Sequence, residues 1–237
     1  LINSTGNNNT ALGYQALEQN TTAQYNTAVG SLSLTTNTTG ANNTAVGRCA
    51  LKTNSTGANN VAIGCGSLKL NTTASCNTAV GVEALTANTT ADNNTAVGYK
   101  ALFTQVADGA RNTGIGLCAL HGNTTGDDNV AVGYGAGDSN TTGSSNISVG
   151  SGALATSTTG SNNTAVGNLA LFDNTTASNN TAIGGCALAN NTTGSDNVSI
   201  GVLSLSTNTT GNLNVAIGCL ALLANTTADE NTAIGSV

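Results

Sequence analysis

One unit of 17 residues repeats along the entire chain. Asparagine marks the start of fourteen copies, which follow at intervals of 17 residues with one interval of 18 between Asn94 and Asn112. We number this asparagine position 1, so that the unit Asn43 to Asn59 reads NTAVGRCALKTNSTGAN. A short, regular period is typical of folds in which each copy buries apolar side chains only against its neighbours. The repeat therefore predicts a single solenoid domain over residues 1–237, which we interpret as a segment of a longer fibre protein.

The unit favours β-structure over helices. Position 5 is glycine in every copy, position 4 is always aliphatic, and position 9 is leucine in twelve of thirteen copies. A glycine repeated at one place marks a sharp corner of the backbone, and these apolar positions do not follow the i, i+3, i+4, i+7 spacing of a helix. We expect positions 2–4 and 7–9 to form two short strands per coil, joined by N-T-T-G/A turns. The predicted fold class is all-β, a parallel β-solenoid (β-roll) of about fourteen 17-residue coils.

The apolar positions also predict an interior. We expect the aliphatic side chains at positions 4 and 9 to stack as ladders inside the coils, and the asparagines at position 1 to hydrogen-bond from coil to coil. Alternation along each strand then places the Ala and Ser residues of positions 3 and 8 outside. Such smooth stripes would let a second chain approach closely. They favour self-association, either as a lateral trimer or, through open coil edges, as an end-to-end filament.

Four copies carry a more specific pattern after the position 1 asparagine. They read NVAIG at 60–64 and 214–218, NISVG at 146–150 and NVSIG at 197–201. In these segments the chain resembles the head-domain repeat of trimeric autotransporter adhesins, which winds into a left-handed parallel β-roll. The present unit is longer because it includes the L-x-x-N-T-T-G segment. The resemblance implies an extracellular or cell-surface rod that acts as a structural fibre or adhesin, with glycans or a host surface as further partners.

Asparagine at position 12 begins N-T-T or N-S-T in twelve copies, and Gln105 and Ser157 are the exceptions. We interpret residues 103–111 around Gln105, which carry the extra residue of the long interval, as a bulged loop. N-x-[ST] is the acceptor for N-glycosylation and is found on exposed turns of secreted proteins. Covalent N-glycans are therefore expected at these turns, unless N-T-T is simply favoured turn chemistry. The candidates are Asn3, Asn20, Asn37, Asn54, Asn71, Asn88, Asn123, Asn140, Asn174, Asn191, Asn208 and Asn225.

The six cysteines suggest one disulfide. Cys49 and Cys65 fall in adjacent coils at neighbouring positions, which makes a bridge between them plausible in an extracellular chain. The alternative is that these cysteines are small, buried thiols that fill space near the corner of the coil.

Charge and composition argue against several other functions. The formal net charge is −6 and only 7% of residues are charged, so nucleic acid is a poor partner. No apolar run approaches the roughly 20 residues of a membrane span, and the one histidine, His121, has no cluster of metal-ligating residues beside it. We therefore expect no cofactor, metal site, membrane insertion or catalysis. An ice-binding or other surface-adsorbing β-solenoid and a viral tail-fibre shaft remain as alternatives to the fibre or adhesin.

Overall fold

The structure, a computed structural model, describes residues 5–236 in two compact units. Unit 1 ends at Leu117 and unit 2 begins at Cys118. Each unit is a parallel β-solenoid, and no helix occurs among the described residues. The predicted all-β solenoid class and the spacing of about 17 residues are therefore confirmed.

Within the described residues each unit contains seven strands of three residues, one in each coil, and consecutive strands within a unit pair in parallel. The strands of unit 1 are β1 (Thr10–Leu12), β2 (Thr27–Val29), β3 (Thr44–Val46), β4 (Val61–Ile63), β5 (Thr78–Val80), β6 (Thr95–Val97) and β7 (Thr113–Ile115). Those of unit 2 are β8 (Val130–Val132), β9 (Ile147–Val149), β10 (Thr164–Val166), β11 (Thr181–Ile183), β12 (Val198–Ile200), β13 (Val215–Ile217) and β14 (Thr232–Ile234).

The register of the strands places equal repeat positions side by side. Between β3 and β4, for example, Ala45 pairs with Ala62 and Val46 with Ile63. The Gly64 backbone N–H donates to the Val46 carbonyl over 2.8 Å, which extends the pairing beyond the strand. Because one coil equals one repeat, each residue type forms a column along a unit.

Positions 7–9 do not form the second strand that the sequence predicts. The residues at positions 7 and 9 are left-handed, as at Cys49 with a φ of 60° and Leu51 with a φ of 48°, and so is position 17, as at Asn59 with a φ of 60°. Left-handed backbone cannot continue a strand, so this stretch is a series of turns. It still bonds between coils, since the Leu51 N–H donates to the Ser67 carbonyl over 3.0 Å.

Glycine at position 5 is required by close contact as well as by conformation. Gly47 has a φ of 133°, a region that other residues rarely adopt. A Cβ atom added there would lie 2.6 Å from the backbone carbonyl oxygen of Gly64 in the next coil. The corner that the repeated glycine predicts is therefore confirmed, and the coils approach each other there too closely for any side chain.

The interior differs from the prediction. Alanine at position 3 is buried, as at Ala45, and so are Ala50 and Leu51 at positions 8 and 9. Val46 at position 4 instead points outward and is 36% exposed. The prediction of an internal valine ladder with alanine and serine stripes outside is wrong. A coil with one short strand is narrow, and its interior holds alanine packed against leucine while the β-branched side chains face outward.

Candidate functional site

The asparagines at position 12 form a ladder inside each unit. The side-chain nitrogen of Asn54 donates to the side-chain oxygen of Asn37 over 2.8 Å and to the Gly57 carbonyl over 2.9 Å. Its own side-chain oxygen accepts from Asn71 over 2.7 Å. Both amide hydrogens of Asn54 are therefore used, one to close the turn and one to join neighbouring coils.

This ladder contradicts the exposure expected of the N-x-[ST] asparagines. Ten of the candidates are buried, namely Asn20, Asn37, Asn54, Asn71, Asn88, Asn123, Asn140, Asn174, Asn191 and Asn208. Asn225 is partly buried, and Asn3 lies outside the described residues. A sugar on the side-chain nitrogen would replace a hydrogen that bonds inside the coil and would need space that is absent there. The expectation that these asparagines lie on exposed turns is therefore wrong. N-glycosylation itself stays a prediction.

The ladder expected at position 1 is present. Amide-to-amide bonds between coils occur in unit 2, where for example the side-chain nitrogen of Asn163 donates to the side-chain oxygen of Asn146 over 3.2 Å, but most bonds of this ladder go to the backbone. The side-chain oxygen of Asn43 accepts the backbone N–H of Asn60 over 3.0 Å. Its side-chain nitrogen donates to the Gly57 carbonyl over 2.8 Å. Each such asparagine therefore fixes the start of a strand and the turn that precedes it.

The position 12 ladder changes at the two residues that are not asparagine. Gln105 is buried, its side-chain nitrogen donates to the Gly109 carbonyl, and its oxygen accepts from Asn112 over 3.3 Å. The longer glutamine thus closes a turn that has one extra residue, in agreement with the bulge predicted for residues 103–111. At Ser157 the side chain is too short, and the Ser157 hydroxyl and the Asn140 side-chain oxygen are both buried without a hydrogen-bond partner.

The outward side of the strands presents a regular surface on each unit. Position 2 contributes Thr, Val or Ile, and position 4 contributes Val or Ile in thirteen of the fourteen strands, with Leu12 as the exception. Two columns of mostly β-branched side chains therefore run along each unit. Ile63 is 41% exposed and Ile183 is 39% exposed. We call this surface, formed by positions 2 and 4, the outer strand face. This face was not predicted, because the aliphatic residues of position 4 were expected in the interior.

The six cysteines are free thiols in the structure. Cys49 and Cys65 are both partly buried beside one cavity of unit 1, and the Arg48 guanidinium donates to the Cys65 sulfur over 3.6 Å. The predicted disulfide between them is therefore not formed here. The alternative of buried thiols fits only in part, because Cys49 and Cys65 are partly buried while Cys76 and Cys219 are exposed.

That cavity of unit 1 has a volume of about 290 Å³ and is charged. Arg48, Lys69 and Glu83 are among the residues that line it. Glu83 pairs with Lys100 over 3.6 Å, and the Lys100 ammonium lies 5.0 Å from the centre of the Phe103 ring. A hydrogen bond with Tyr99 raises the pKa of Lys100. Glu83 and Lys100 therefore satisfy each other's charge.

A larger cavity of about 500 Å³ opens on unit 2. Its lining includes Gly135 and Gly152, both at position 7, and Tyr134, Phe172 and Asp138. His121, the one histidine of the chain, also lines it, and its Nδ1 lies 3.9 Å from a carboxylate oxygen of Asp138. The cavity was not predicted, although glycine at position 7 in two successive coils is a signal for it in the sequence.

Within residues 5–236 the structure holds no group of three or more His, Cys, Asp or Glu residues arranged for a metal ion. This part of the chain also contains no helix that is long and apolar enough to cross a membrane. No protein-family model matches the sequence, and no curated protein matches it.

Proposed function

We propose that the chain is a structural segment of an extracellular, self-associating β-solenoid fibre with an adhesin-like role. The observation that carries this proposal is the outer strand face. It presents two columns of β-branched side chains on strands that are paired in register, with side chains such as Val46, Ile63 and Ile115 well exposed.

A second copy of the chain is the partner that this face suits best. Successive rows are about 4.8 Å apart, and the same two positions recur in every coil, so two copies present surfaces of matching period. Large contiguous apolar patches are uncommon on monomeric proteins and mark interaction sites. Burial of each methylene group there would contribute about 0.8 kcal/mol, repeated coil after coil. The resemblance to trimeric adhesin heads suggests three copies around such a face.

The test is a charge placed on the outer strand face. We expect Ile63→Lys to shift the purified protein from oligomer to monomer in sedimentation velocity, because lysine would have to be buried between copies. Thr56→Lys, at an exposed position away from the strand, serves as the matched control and should leave the oligomer intact. A monomeric unsubstituted protein at tens of micromolar, or an Ile63→Lys variant that associates normally, would refute the proposal.

Ice binding is the second candidate, and one observation favours it. Threonine occupies position 2 in nine of the fourteen strands, beside the aliphatic column of position 4, so the outer strand face offers a flat, regular array of hydroxyl and methyl groups. Thermal hysteresis of the unsubstituted protein, lost in Ile63→Lys and retained in Thr56→Lys, would assign the face to ice instead of to a second copy.

A further inference from the structure

The cavity of unit 2 exists because two neighbouring coils lack a side chain at position 7. In most other coils this position holds a larger residue, including Leu32, Leu169 and Leu203. A Cβ atom added at Gly135 would meet no heavy atom within 4 Å. At Gly152 it would lie 2.8 Å from a methyl carbon of Leu169, which leans over the gap. The two glycines therefore leave a recess whose far edge is apolar.

The walls of the recess combine aromatic rings with one carboxylate. Tyr134, which is 66% exposed, and Phe172 both line the recess. Asp138 is partly buried, and its carboxylate faces His121. Hydroxyl-bearing residues complete the lining, namely Ser139, Ser151 and Thr156.

Charge selects among ligands for this recess. All five Lys and Arg residues of the chain lie in unit 1, whereas unit 2 carries seven of the eleven acidic residues, namely Asp127, Asp128, Asp138, Asp173, Asp196, Asp229 and Glu230. An anion entering the recess would meet this negative field without any lysine or arginine of unit 2 to offset it. A cation would be attracted by the field, by Asp138 and by the negative faces of the aromatic rings.

We propose that the recess between Cys118 and Phe172 is a binding site for an organic cation, a guanidinium or ammonium group on an apolar stem. The charged group lies against Asp138 and the ring faces of Tyr134 and Phe172. The stem packs over Gly135 and Ala155, which also line the recess. This site is separate from the outer strand face and does not depend on the proposed fibre function.

The first experiment compares two probes of nearly the same shape and different charge. N-acetyl-arginine amide and N-acetyl-citrulline amide are titrated into the full chain labelled with ¹⁵N, and amide shifts are followed by NMR. We expect the arginine probe to shift the signals of Tyr134, Gly135 and Asp138 with millimolar affinity. The citrulline probe should bind about tenfold more weakly because it lacks the charge. Equal binding of the two probes, or no binding of the arginine probe, would overturn the proposal.

Three variants locate the site. Asp138→Asn should weaken the arginine probe about tenfold, whereas Asp173→Asn, which removes the same charge from unit 2 outside the cavity lining, should have little effect. Gly135→Leu should abolish binding by filling the recess. The backbone tolerates leucine there, because Gly135 has a φ of 58° and Leu203, at the same repeat position, has a φ of 56°. Equal losses in Asp138→Asn and Asp173→Asn would reduce the effect to net charge and refute the site.

Sedimentation velocity then identifies where the cation comes from. If a lysine or arginine of a second copy occupies the recess, Asp138→Asn and Gly135→Leu will lower the self-association constant together with probe affinity. If another molecule supplies it, only probe affinity will fall. Both results support a cation site and assign its source, and melting curves monitored by circular dichroism confirm that each variant is folded.

Discussion

Replacing Ser157 with asparagine should repair the position 12 ladder of unit 2. In the structure the Ser157 hydroxyl and the Asn140 side-chain oxygen are buried without partners. The side-chain nitrogen of Asn174 closes its own turn through the Ala177 carbonyl. By analogy with intact coils, an asparagine at 157 would donate to Asn140 and to the Gly160 carbonyl and would accept from Asn174. Ser157→Asn therefore adds three hydrogen bonds in a place where the neighbouring coils already accommodate the side chain.

The expected gain follows from ordinary hydrogen-bond energies. Three buried bonds contribute about 3 kcal/mol net, and fixing the asparagine side chain costs about 1 kcal/mol. We therefore expect Ser157→Asn to raise the free energy of unfolding by about 2 kcal/mol, equivalent to a rise of roughly 4–8 °C in Tm. Urea and thermal unfolding followed by circular dichroism measure this change, and hydrogen exchange tests whether protection increases in the coils around residue 157.

Two further variants separate the ladder from local effects. Ser157→Ala removes the unpaired hydroxyl but leaves Asn140 without a donor, so it should change stability much less than Ser157→Asn. Asn71→Ser creates the same break in unit 1, where Asn71 donates to Asn54 and accepts from Asn88, and should cost about 2 kcal/mol. A Ser157→Asn variant no more stable than Ser157→Ala would refute the reasoning.

Three other outcomes are expected. Gly47→Ala should destabilise unit 1 by at least about 2 kcal/mol in urea unfolding, because its Cβ would collide with the backbone of the next coil; a change below about 0.5 kcal/mol would contradict this. Asn54 should stay unmodified in protein secreted from a glycosylating host, as checked by peptide mass mapping before and after enzymatic deglycosylation, and full occupancy in folded material would contradict the buried ladder. Burial raises the pKa of Asp138, so the folded state binds the Asp138 proton more tightly than the unfolded chain does. The stability that this group contributes therefore falls as pH rises above the ordinary carboxyl range. Asp138→Asn should therefore raise Tm at pH 7 and change it little at pH 3, and equal effects at both pH values would contradict this.

The repeat was sufficient to predict the class of fold and the place of its corners. The period sets the length of a coil. Glycine recurs at position 5 because the backbone needs a positive φ at this corner. The sequence also predicted the ladder at position 1, because a buried, repeated amide must bond between coils. These features follow from spacing and from backbone conformation, both of which can be deduced from residue types alone.

The direction of the side chains could not be deduced in the same way. Alternation along T-A-V allows either Ala or the flanking pair to face inward, and hydrophobicity favours the wrong choice. The width of the coil decides which of these side chains face inward. That width depends on left-handed backbone at residues such as Cys49 and Leu51, a conformation that non-glycine residues disfavour. The burial of Asn54 could not be predicted either. The N-T-T pattern is typical of an exposed turn, and only the neighbouring coils bury its asparagine. The cavity at Gly135 depends on the absence of side chains, for which the repeat pattern gave only an indirect signal.

The ladders have a consequence for how such a chain reaches its native state. Most side-chain hydrogen bonds between coils join residues 14 to 18 positions apart, as at Asn43 to Gly57 and Thr53 to Asn71. This separation does not grow when more coils are added, so the contact order relative to chain length decreases as the array lengthens. Closing each new coil carries the same entropic cost as closing the last, and folding can nucleate at any coil and propagate by addition of neighbours. A gene that gained or lost whole repeats would therefore encode a chain that folds through the same elementary step.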